Sequence, residues 1–310
     1  MLKQIGKIIV ANAGDDTLSC IDLSSKKLDH IIHLKDFNNK DNKSIANSPS
    51  IGPWEMIYDG LQFAYCTNAY DNSIFKIDIK RGKIIDMIYV GSFPTCIRYF
   101  DNHLFIANSD SNSISIIDEK RFSLVENIPV GEKPTDIEID EVRRKVYVAN
   151  SNGYSMNVID LEGQNNETIK LNNNPVKMIL DGEYMYILYN VNNSIINNSN
   201  ISLMNLKNSR ENELIELKGI FTTMLKINSE EIIFIANIDK GYIYRMNIEK
   251  RSLSSKTKLM GMPNKMEWDG DDTIYITDIS KDILYLFSIK ANDIINQIRV
   301  GREPGGILVI

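Results

Sequence analysis

The sequence is poor in the residues that usually build metal and catalytic centres. Its 310 residues include three cysteines and three histidines. Cys20, Cys66 and Cys96 are odd in number, lie in apolar runs and lack CxxC spacing. They are therefore predicted to be buried free thiols in a reducing compartment. His30 and His33 are three residues apart on a predicted strand and face opposite sides, so they cannot share a metal ion.

The chain also lacks an excess of positive charge and any long apolar segment. Its net charge of -6 at pH 7 argues against a nucleic-acid partner, which needs a basic patch or stripe. No window approaches the roughly 18–20 uninterrupted apolar residues of a membrane span. The segment before Asn12 has no apolar stretch of signal-peptide length and no small-residue cleavage site. We therefore predict a cytoplasmic protein without a nucleic-acid or membrane partner.

The chain does contain a repeated pattern, in which an apolar run ending in Asn is followed by a polar turn and a second apolar run ending in Asp. Clear copies are "KIIVANAGDDTLSCID" from Lys7, "HLFIANSDSNSISIID" from His103 and "KVYVANSNGYSMNVID" from Lys145. The residues that end the first run are Asn12, Asn68, Asn108, Asn150, Asn190, Asn237 and Asp278. A second landmark is a proline at Pro94, Pro134, Pro175, Pro263 and Pro304, with Pro53 and Phe221 at the equivalent places in the two less regular copies. The period is about 41 residues, which is typical of repeat architectures.

Each copy contains four short segments rich in β-branched and aromatic residues, separated by turn residues. Four strands in a unit of about 40–50 residues are the signature of a propeller blade. We therefore predict an all-β fold in which residues 1–310 form a single seven-bladed β-propeller domain with four-stranded antiparallel blades. The last segment, "GGILVI", suffices for the first strand of a blade, and the N-terminal copy lacks that strand. The C-terminal strand should therefore close the ring by completing the N-terminal blade, which removes open sheet edges.

The repeat resembles a known family. "YVAN" at Tyr147–Asn150, with "FIAN" and "VANAG" elsewhere, followed by "SISIID" or "MNVID" and then "VGxxPT", is similar to the YVTN-type β-propeller repeat. The resemblance covers essentially the whole chain and implies seven blades. The family includes surface-layer and ligand-binding proteins and has relatives among lactonases and lyases, so function must be argued from the site.

The first strand of each propeller blade lines the central channel, so its residues can be compared around the ring. Two residues after the proline position stand Glu55, Cys96, Asp136, Lys177, Thr223, Lys265 and Gly306. Trp54 lies beside this ring, and Tyr70 and Tyr154 occupy nearby turns. Aromatic groups with convergent charges at a concave mouth are typical of a ligand site. The predicted ligand-binding residues are Trp54, Glu55, Tyr70, Asp136, Tyr154, Lys177 and Lys265. The alternative is a water-filled channel whose charges pair across it.

Two irregular insertions, within residues 35–50 and 190–202, are predicted to lie on the same face as this mouth. Long loops on a rigid scaffold are often functional, although compositional drift in Asn- and Lys-rich segments is an alternative.

The sequence favours a non-enzymatic protein that binds or scaffolds a protein, peptide or small molecule and acts as a monomer. No catalytic residue, metal ligand or cofactor is predicted, because no nucleophile–base set, HExxH motif or phosphate loop is present. A lactonase- or lyase-like enzyme is one alternative, with Glu55 or Asp136 opposite Lys177 or Lys265, or a divalent ion, in the channel. A structural protein of a surface or spore layer is the other.

Overall fold

The structure, a computed structural model, describes residues 6–37, 49–163, 165–193, 196–227 and 230–310. Within them lie twenty-eight strands and a single turn of 3-10 helix at Leu34–Asp36. No helix in the described part of the chain is long and apolar enough to span a membrane.

The strands follow one another in chain order, four to a repeat. The first fourteen are β1 (Lys7–Asn12), β2 (Thr17–Asp22), β3 (Lys27–His33), β4 (Pro53–Tyr58), β5 (Phe63–Asn68), β6 (Ser73–Asp78), β7 (Lys83–Tyr89), β8 (Pro94–Phe100), β9 (His103–Asn108), β10 (Ser113–Asp118), β11 (Ser123–Pro129), β12 (Pro134–Asp140), β13 (Lys145–Asn150) and β14 (Ser155–Asp160). The second fourteen are β15 (Asn166–Lys170), β16 (Asn174–Asp181), β17 (Tyr184–Asn193), β18 (Ile196–Asn205), β19 (Arg210–Lys218), β20 (Phe221–Ile227), β21 (Ile232–Asn237), β22 (Tyr242–Asn247), β23 (Ser252–Lys258), β24 (Pro263–Trp268), β25 (Thr273–Asp278), β26 (Ile283–Ser288), β27 (Asp293–Arg299) and β28 (Pro304–Val309).

These strands form seven antiparallel sheets of four strands, which are the blades of a propeller. Blade 1 has the order β28-β1-β2-β3, and blades 2 to 7 each use four consecutive strands, from β4–β7 to β24–β27. The predicted seven-bladed fold is confirmed. We call the end of the ring that carries the inner-strand prolines and the turns between second and third strands the proline face. The end that carries the turns between first and second strands is the opposite face.

The ring closes through the predicted pairing of the last strand with the first. Ile8 pairs with Val309, and Val10 pairs with Ile307. Beyond the strand end, the carbonyl of Ile310 accepts hydrogen bonds from the amides of Gly6 and Lys7, each 2.9 Å long. Blade 1 is therefore assembled from both ends of the described chain.

The recurrent Asp and Asn residues act differently from each other. The carboxylates of Asp22, Asp78, Asp118 and Asp160 accept turn backbone amides, as at Asp118, which accepts the amide of Arg121 at 2.7 Å. These carboxylates therefore stabilise the outer turns of their blades. The strand-end Asn residues differ from blade to blade. Asn237 accepts the amide of Lys240 in the following turn at 2.9 Å, whereas Asn108 donates through Nδ2 to the hydroxyls of Ser113 and Ser115, 3.2 and 2.9 Å away on the next strand.

The core lies between neighbouring blades, because each blade has two apolar faces that only its neighbours can cover. One buried cluster joins Tyr65 and Ile74 of blade 2 to Ile97, Leu104 and Ile106 of blade 3. The three cysteines are buried free thiols, as the sequence predicts.

An ion pair also joins blades 2 and 3. The ammonium of Lys76 lies 2.9 Å from the Glu119 carboxylate and 4.4 Å from the ring centroid of Phe63, and the hydroxyl of Tyr65 donates to the same carboxylate. Glu119→Gln removes the counter-charge of a buried lysine but keeps an acceptor. We expect a loss of about 2 kcal/mol in the free energy of unfolding, measured by urea titration at pH 7.

The exposed residue Glu126 provides the control for this prediction. Glu126→Gln should change stability by less than about 0.5 kcal/mol. Equal effects of the two variants would show that the pair between Lys76 and Glu119 does not stabilise the blade interface.

The two insertions differ in structure. The predicted loop at 35–50 falls largely on residues 38–48, which lie outside the described residues. The excess at 190–202, predicted as a loop, is instead built into the lengthened strands β17 and β18, of ten residues each. Its polar residues extend the hairpin, because the pairing continues as far as Asn193 and Ile196.

Candidate ligand-binding channel

The inner strands of the seven blades surround the central channel, and alternate side chains on each strand point into it. Four of the predicted residues meet there, and Arg98 of β8 joins them. Its guanidinium lies 2.6 Å from Glu55 Oε1 and 3.0 Å from Asp136 Oδ1. Lys177 Nζ lies 2.9 Å from Asp136 Oδ1, and Lys265 Nζ lies 3.2 Å from Glu55 Oε2. We call these five residues the channel ion-pair ring.

Glycine on blade 1 allows the ring to form between blades that are not adjacent. Lys265 on blade 7 reaches Glu55 on blade 2, and the residue between them at the same level is Gly306. A Cβ at Gly306 would lie 2.7 Å from the carbonyl oxygen of Trp54 and 2.8 Å from the Cα of Glu55. The inner strands of blades 1 and 2 are therefore too close together here for any side chain.

The ion pairs hold Glu55 in the charged form. Burial disfavours the charged form of Glu55, but the charges of Lys265 and Arg98 outweigh burial and lower its pKa from 4.5 to about 2. Asp136 also accepts the backbone amide of Met178 at 2.8 Å, so each of its oxygens has a partner. The ring is thus a charge-assisted network, which fits the alternative that the channel charges pair with one another.

Cys96 lies against this network as a protonated thiol. Its Sγ is 3.6 Å from Asp136 Oδ1, and the side chain is fully buried. Burial raises the pKa of the thiol well above its ordinary value. A thiol in this state is a poor nucleophile and a poor metal ligand.

A cavity of about 390 Å³ adjoins the ring. Its lining begins at the level of Glu55, Lys177 and Lys265 and continues along the inner strands toward the opposite face. Its channel-facing apolar side chains are Ile57, Ile179 and Leu225, and its charged or aromatic lining residues beyond the first level are Arg98, Glu138, Lys226, Glu267 and Trp268. The cavity is therefore a chamber with an apolar side, a charged side and an ion-paired inner end.

Two carboxylates in this chamber stand apart from the ring. Glu138 Oε1 is 4.0 Å from the Arg98 guanidinium. Among the described residues, no side chain or backbone group forms an ion pair or hydrogen bond with the Glu267 carboxylate. Glu267 is exposed to the chamber but enclosed by the surrounding blades, and this burial raises its pKa from 4.5 to about 7 despite the nearby charges of Lys177 and Arg98. Burial also raises the pKa of Glu138. Glu138 and Glu267 are therefore the chamber carboxylates whose charge is not balanced by a closely paired cation.

The three predicted aromatic residues lie elsewhere. Trp54 and Tyr70 pack around Phe93 on the proline face, with ring centroids 6.1 and 6.0 Å from that of Phe93. Tyr154 is half exposed in the turn between β13 and β14. None of the three lines the chamber as the structure describes it. The structure thus separates the predicted charges from the predicted aromatic mouth.

Sequence reasoning missed Arg98, Glu138 and Glu267, although a signal for them exists. Each lies four residues after its proline, hence two residues beyond the ring position. Since side chains two apart on a strand share a face, these residues enter the same channel.

Among the described residues, no group of three or more His, Cys, Asp and Glu side chains is arranged to hold a metal ion. The channel carboxylates Glu55 and Asp136 are bound by arginine and lysine.

The fold and site define a seven-bladed β-propeller with an ion-paired channel. No protein-family model matches the chain, and a search of curated proteins finds no similar sequence. Solved structures match it well. A functionally unknown protein from Desulfotomaculum acetoxidans superposes with a TM-score of 0.77 at 11% identity, over 98% of each chain. Kuenenia stuttgartiensis hydrazine synthase gives 0.73 at 13% identity, over 87% of this chain and 92% of that chain.

A third structure, dihydro-heme d1 dehydrogenase NirN in complex with DHE, gives a TM-score of 0.68 at 11% identity, over 99% of this chain and 76% of that chain. At such identities the likeness shows the fold alone. The narrower assignment to the YVTN-type repeat family stays a prediction.

Proposed function

We propose that this propeller is a non-catalytic binding protein that takes a small ligand into the chamber between the channel ion-pair ring and the opposite face. The chamber carries the proposal. Its volume of about 390 Å³ lies within the range of roughly 300–1,000 Å³ typical of small-molecule sites. Such sites combine apolar walls with a few polar groups, and this chamber has both.

The state of the charged groups favours binding over chemistry. The ring carboxylates Glu55 and Asp136 are engaged by three cations, and the lowered pKa of Glu55 makes it a weak proton acceptor near neutral pH. Cys96 is protonated and buried, so it is not an activated nucleophile. What the ring does offer is a rigid, pre-organised inner end against which a ligand can be held.

A thermal-shift screen of the full chain against small amines, carboxylates, sugars and lactones tests the proposal. A ligand at 100 times its Kd should add about 2.7 kcal/mol of stability. Leu225→Trp places a large side chain in the chamber, so any hit should be lost in this variant. Glu141→Gln, on an exposed turn, is the matched control and should retain it.

Two results would contradict the proposal. One is a set of hits that all survive Leu225→Trp in a variant whose own unfolding temperature is unchanged. The other is a screen without hits in which the chamber variant and the control behave alike.

One observation favours a second function, acid–base catalysis. A carboxylate with a pKa of about 7 in a chamber is suited to act as a general base near neutral pH. Under the enzyme alternative, turnover of a lactone should rise with pH through about 7, and Glu267→Gln should abolish that dependence. Turnover by the Gln variant with an unchanged pH profile would exclude Glu267 from this role.

A further inference from the structure

We infer that the ligand of this chamber is a small organic cation, an ammonium group carried on an apolar body, whose charge is held by Glu267. The inference rests on the proposed function and names the class of ligand for the same site. It stands on the division of charge in the chamber and on the nature of its walls.

The cations of the chamber are largely committed. Arg98, Lys177 and Lys265 each lie within 3.2 Å of a ring carboxylate. Lys226, at the other end of the lining, lies 3.2 Å from Asp181. An incoming anion would have to compete with these carboxylates for cations that are already paired.

The carboxylates of Glu138 and Glu267 are not neutralised to the same extent. Glu138 is at the 4.0 Å limit of an ion pair with Arg98, and Glu267 is within ion-pairing range of no described cation. They belong to β12 of blade 4 and β24 of blade 7, so they face the chamber from separate sides of the ring. An ammonium bound beside Glu267 would supply the counter-charge that this carboxylate lacks.

The walls match the rest of such a ligand. Ile57, Ile179 and Leu225 occupy the same level on blades 2, 5 and 6 as the two carboxylates do on blades 4 and 7. An apolar body of aliphatic or aromatic carbon would cover these side chains and remove them from water. A bare metal ion or a fully hydrated cation would leave them exposed, so the geometry favours an organic cation.

Proton release distinguishes this class of ligand from others. A cation binds the ionised form of Glu267, whose pKa is about 7 in the free protein, so its binding expels a proton and strengthens as pH rises. The charged groups that face Glu267 are Lys177, Arg98, Glu55 and Lys265. Glu138 and Lys226 also line the chamber. Affinity should fall about tenfold from pH 8 to pH 6.

The test uses three probes with one apolar body: 3-phenylpropylamine, 3-phenylpropanol and 3-phenylpropanoate. Each is titrated calorimetrically into the full chain at pH 6 and pH 8, in two buffers of different ionisation enthalpy. We expect the amine to bind at least about tenfold more tightly than the other two at pH 8. Its binding should release about 0.9 proton at pH 6 and about 0.1 proton at pH 8, because Glu267 is already mostly ionised at the higher pH. Glu267→Gln should weaken amine binding about tenfold and remove its pH dependence, and Glu141→Gln should do neither.

Three outcomes would overturn the inference. The first is preference for the carboxylate or the alcohol. The second is amine binding that ignores pH or Glu267→Gln, and the third is no binding of the amine at millimolar concentration. A carboxylate or alcohol that binds and is excluded by Leu225→Trp would overturn the cation inference while supporting the proposed function. If all probes that bind the native protein also bind Leu225→Trp, the result would count against both the cation inference and the proposed function.

Discussion

Deleting residues 304–310 should leave a chain that no longer unfolds in a single cooperative transition. These residues form β28, the inner strand of blade 1, together with Ile310. Ile307 and Leu308 are buried, and each contributes about 1.5–3 kcal/mol. The backbone bonds to β1 add about 1 kcal/mol each. The total approaches the net stability of about 5–15 kcal/mol that a folded domain has to lose.

The loss is greater than its local contacts suggest, because β28 also closes the ring. Without it, β1 becomes an exposed edge, and the inner faces of blades 7 and 2 lose their neighbour. Urea titration followed by circular dichroism should show a broad, early transition in place of a sharp one.

A complementation experiment distinguishes the loss of β28 from poor expression of the truncated chain. A synthetic peptide of residues 300–310, added to the truncated chain, should restore a cooperative transition, whereas the same peptide with Pro in place of Leu308 should not. Ile307→Ala in the full chain should cost only about 2–5 kcal/mol and keep a single transition. A truncated chain that unfolds as sharply as the full one would show that closure by β28 does not hold the ring together.

The closure could be predicted from the sequence because it follows from counting repeats. The fold could be predicted from the spacing of the Asn and Pro landmarks and from the alternation within the apolar runs, even though Asp278 and Phe221 replace two of those landmarks. The lengthened hairpin of β17 and β18 was not predicted, because its Asn- and Ser-rich sequence is typical of a loop. Strand pairing overrode their low β propensity.

The site could be predicted only in part. Glu55, Asp136, Lys177 and Lys265 were found because one ring position shows which side chains share the channel. Which charge pairs with which depends on side-chain reach between distant blades, as from Lys265 to Glu55, and no local pattern encodes that distance. The aromatic mouth was predicted from proximity in sequence, but neighbours on a strand point in opposite directions, so Trp54 packs against Phe93 and away from Glu55.

Arg98→Ala should be the most damaging single substitution in the channel. Arg98 bridges Glu55 and Asp136, and its removal leaves each of these enclosed carboxylates with a single lysine. Removing one partner of a buried ion pair costs about 3–5 kcal/mol. Arg98→Lys keeps the charge, but an ammonium cannot bind both carboxylates as the forked guanidinium does. The stability of Arg98→Lys should therefore lie between those of the native protein and Arg98→Ala. Arg121→Ala, on an exposed turn, should lie within about 0.5 kcal/mol of the native protein.

The pH dependence of this loss identifies its electrostatic origin. The folded-state pKa of Glu55 is about 2, below its ordinary value of 4.5. Its ion pairs therefore stabilise the native chain fully above that ordinary value, and this stability is lost as pH falls toward 2. Without the guanidinium the pKa of Glu55 rises, so the stability gap between native protein and Arg98→Ala should narrow between pH 5 and pH 3. Urea midpoints across that range measure it, and a gap that stays constant would mean that Arg98 acts by packing and not by charge.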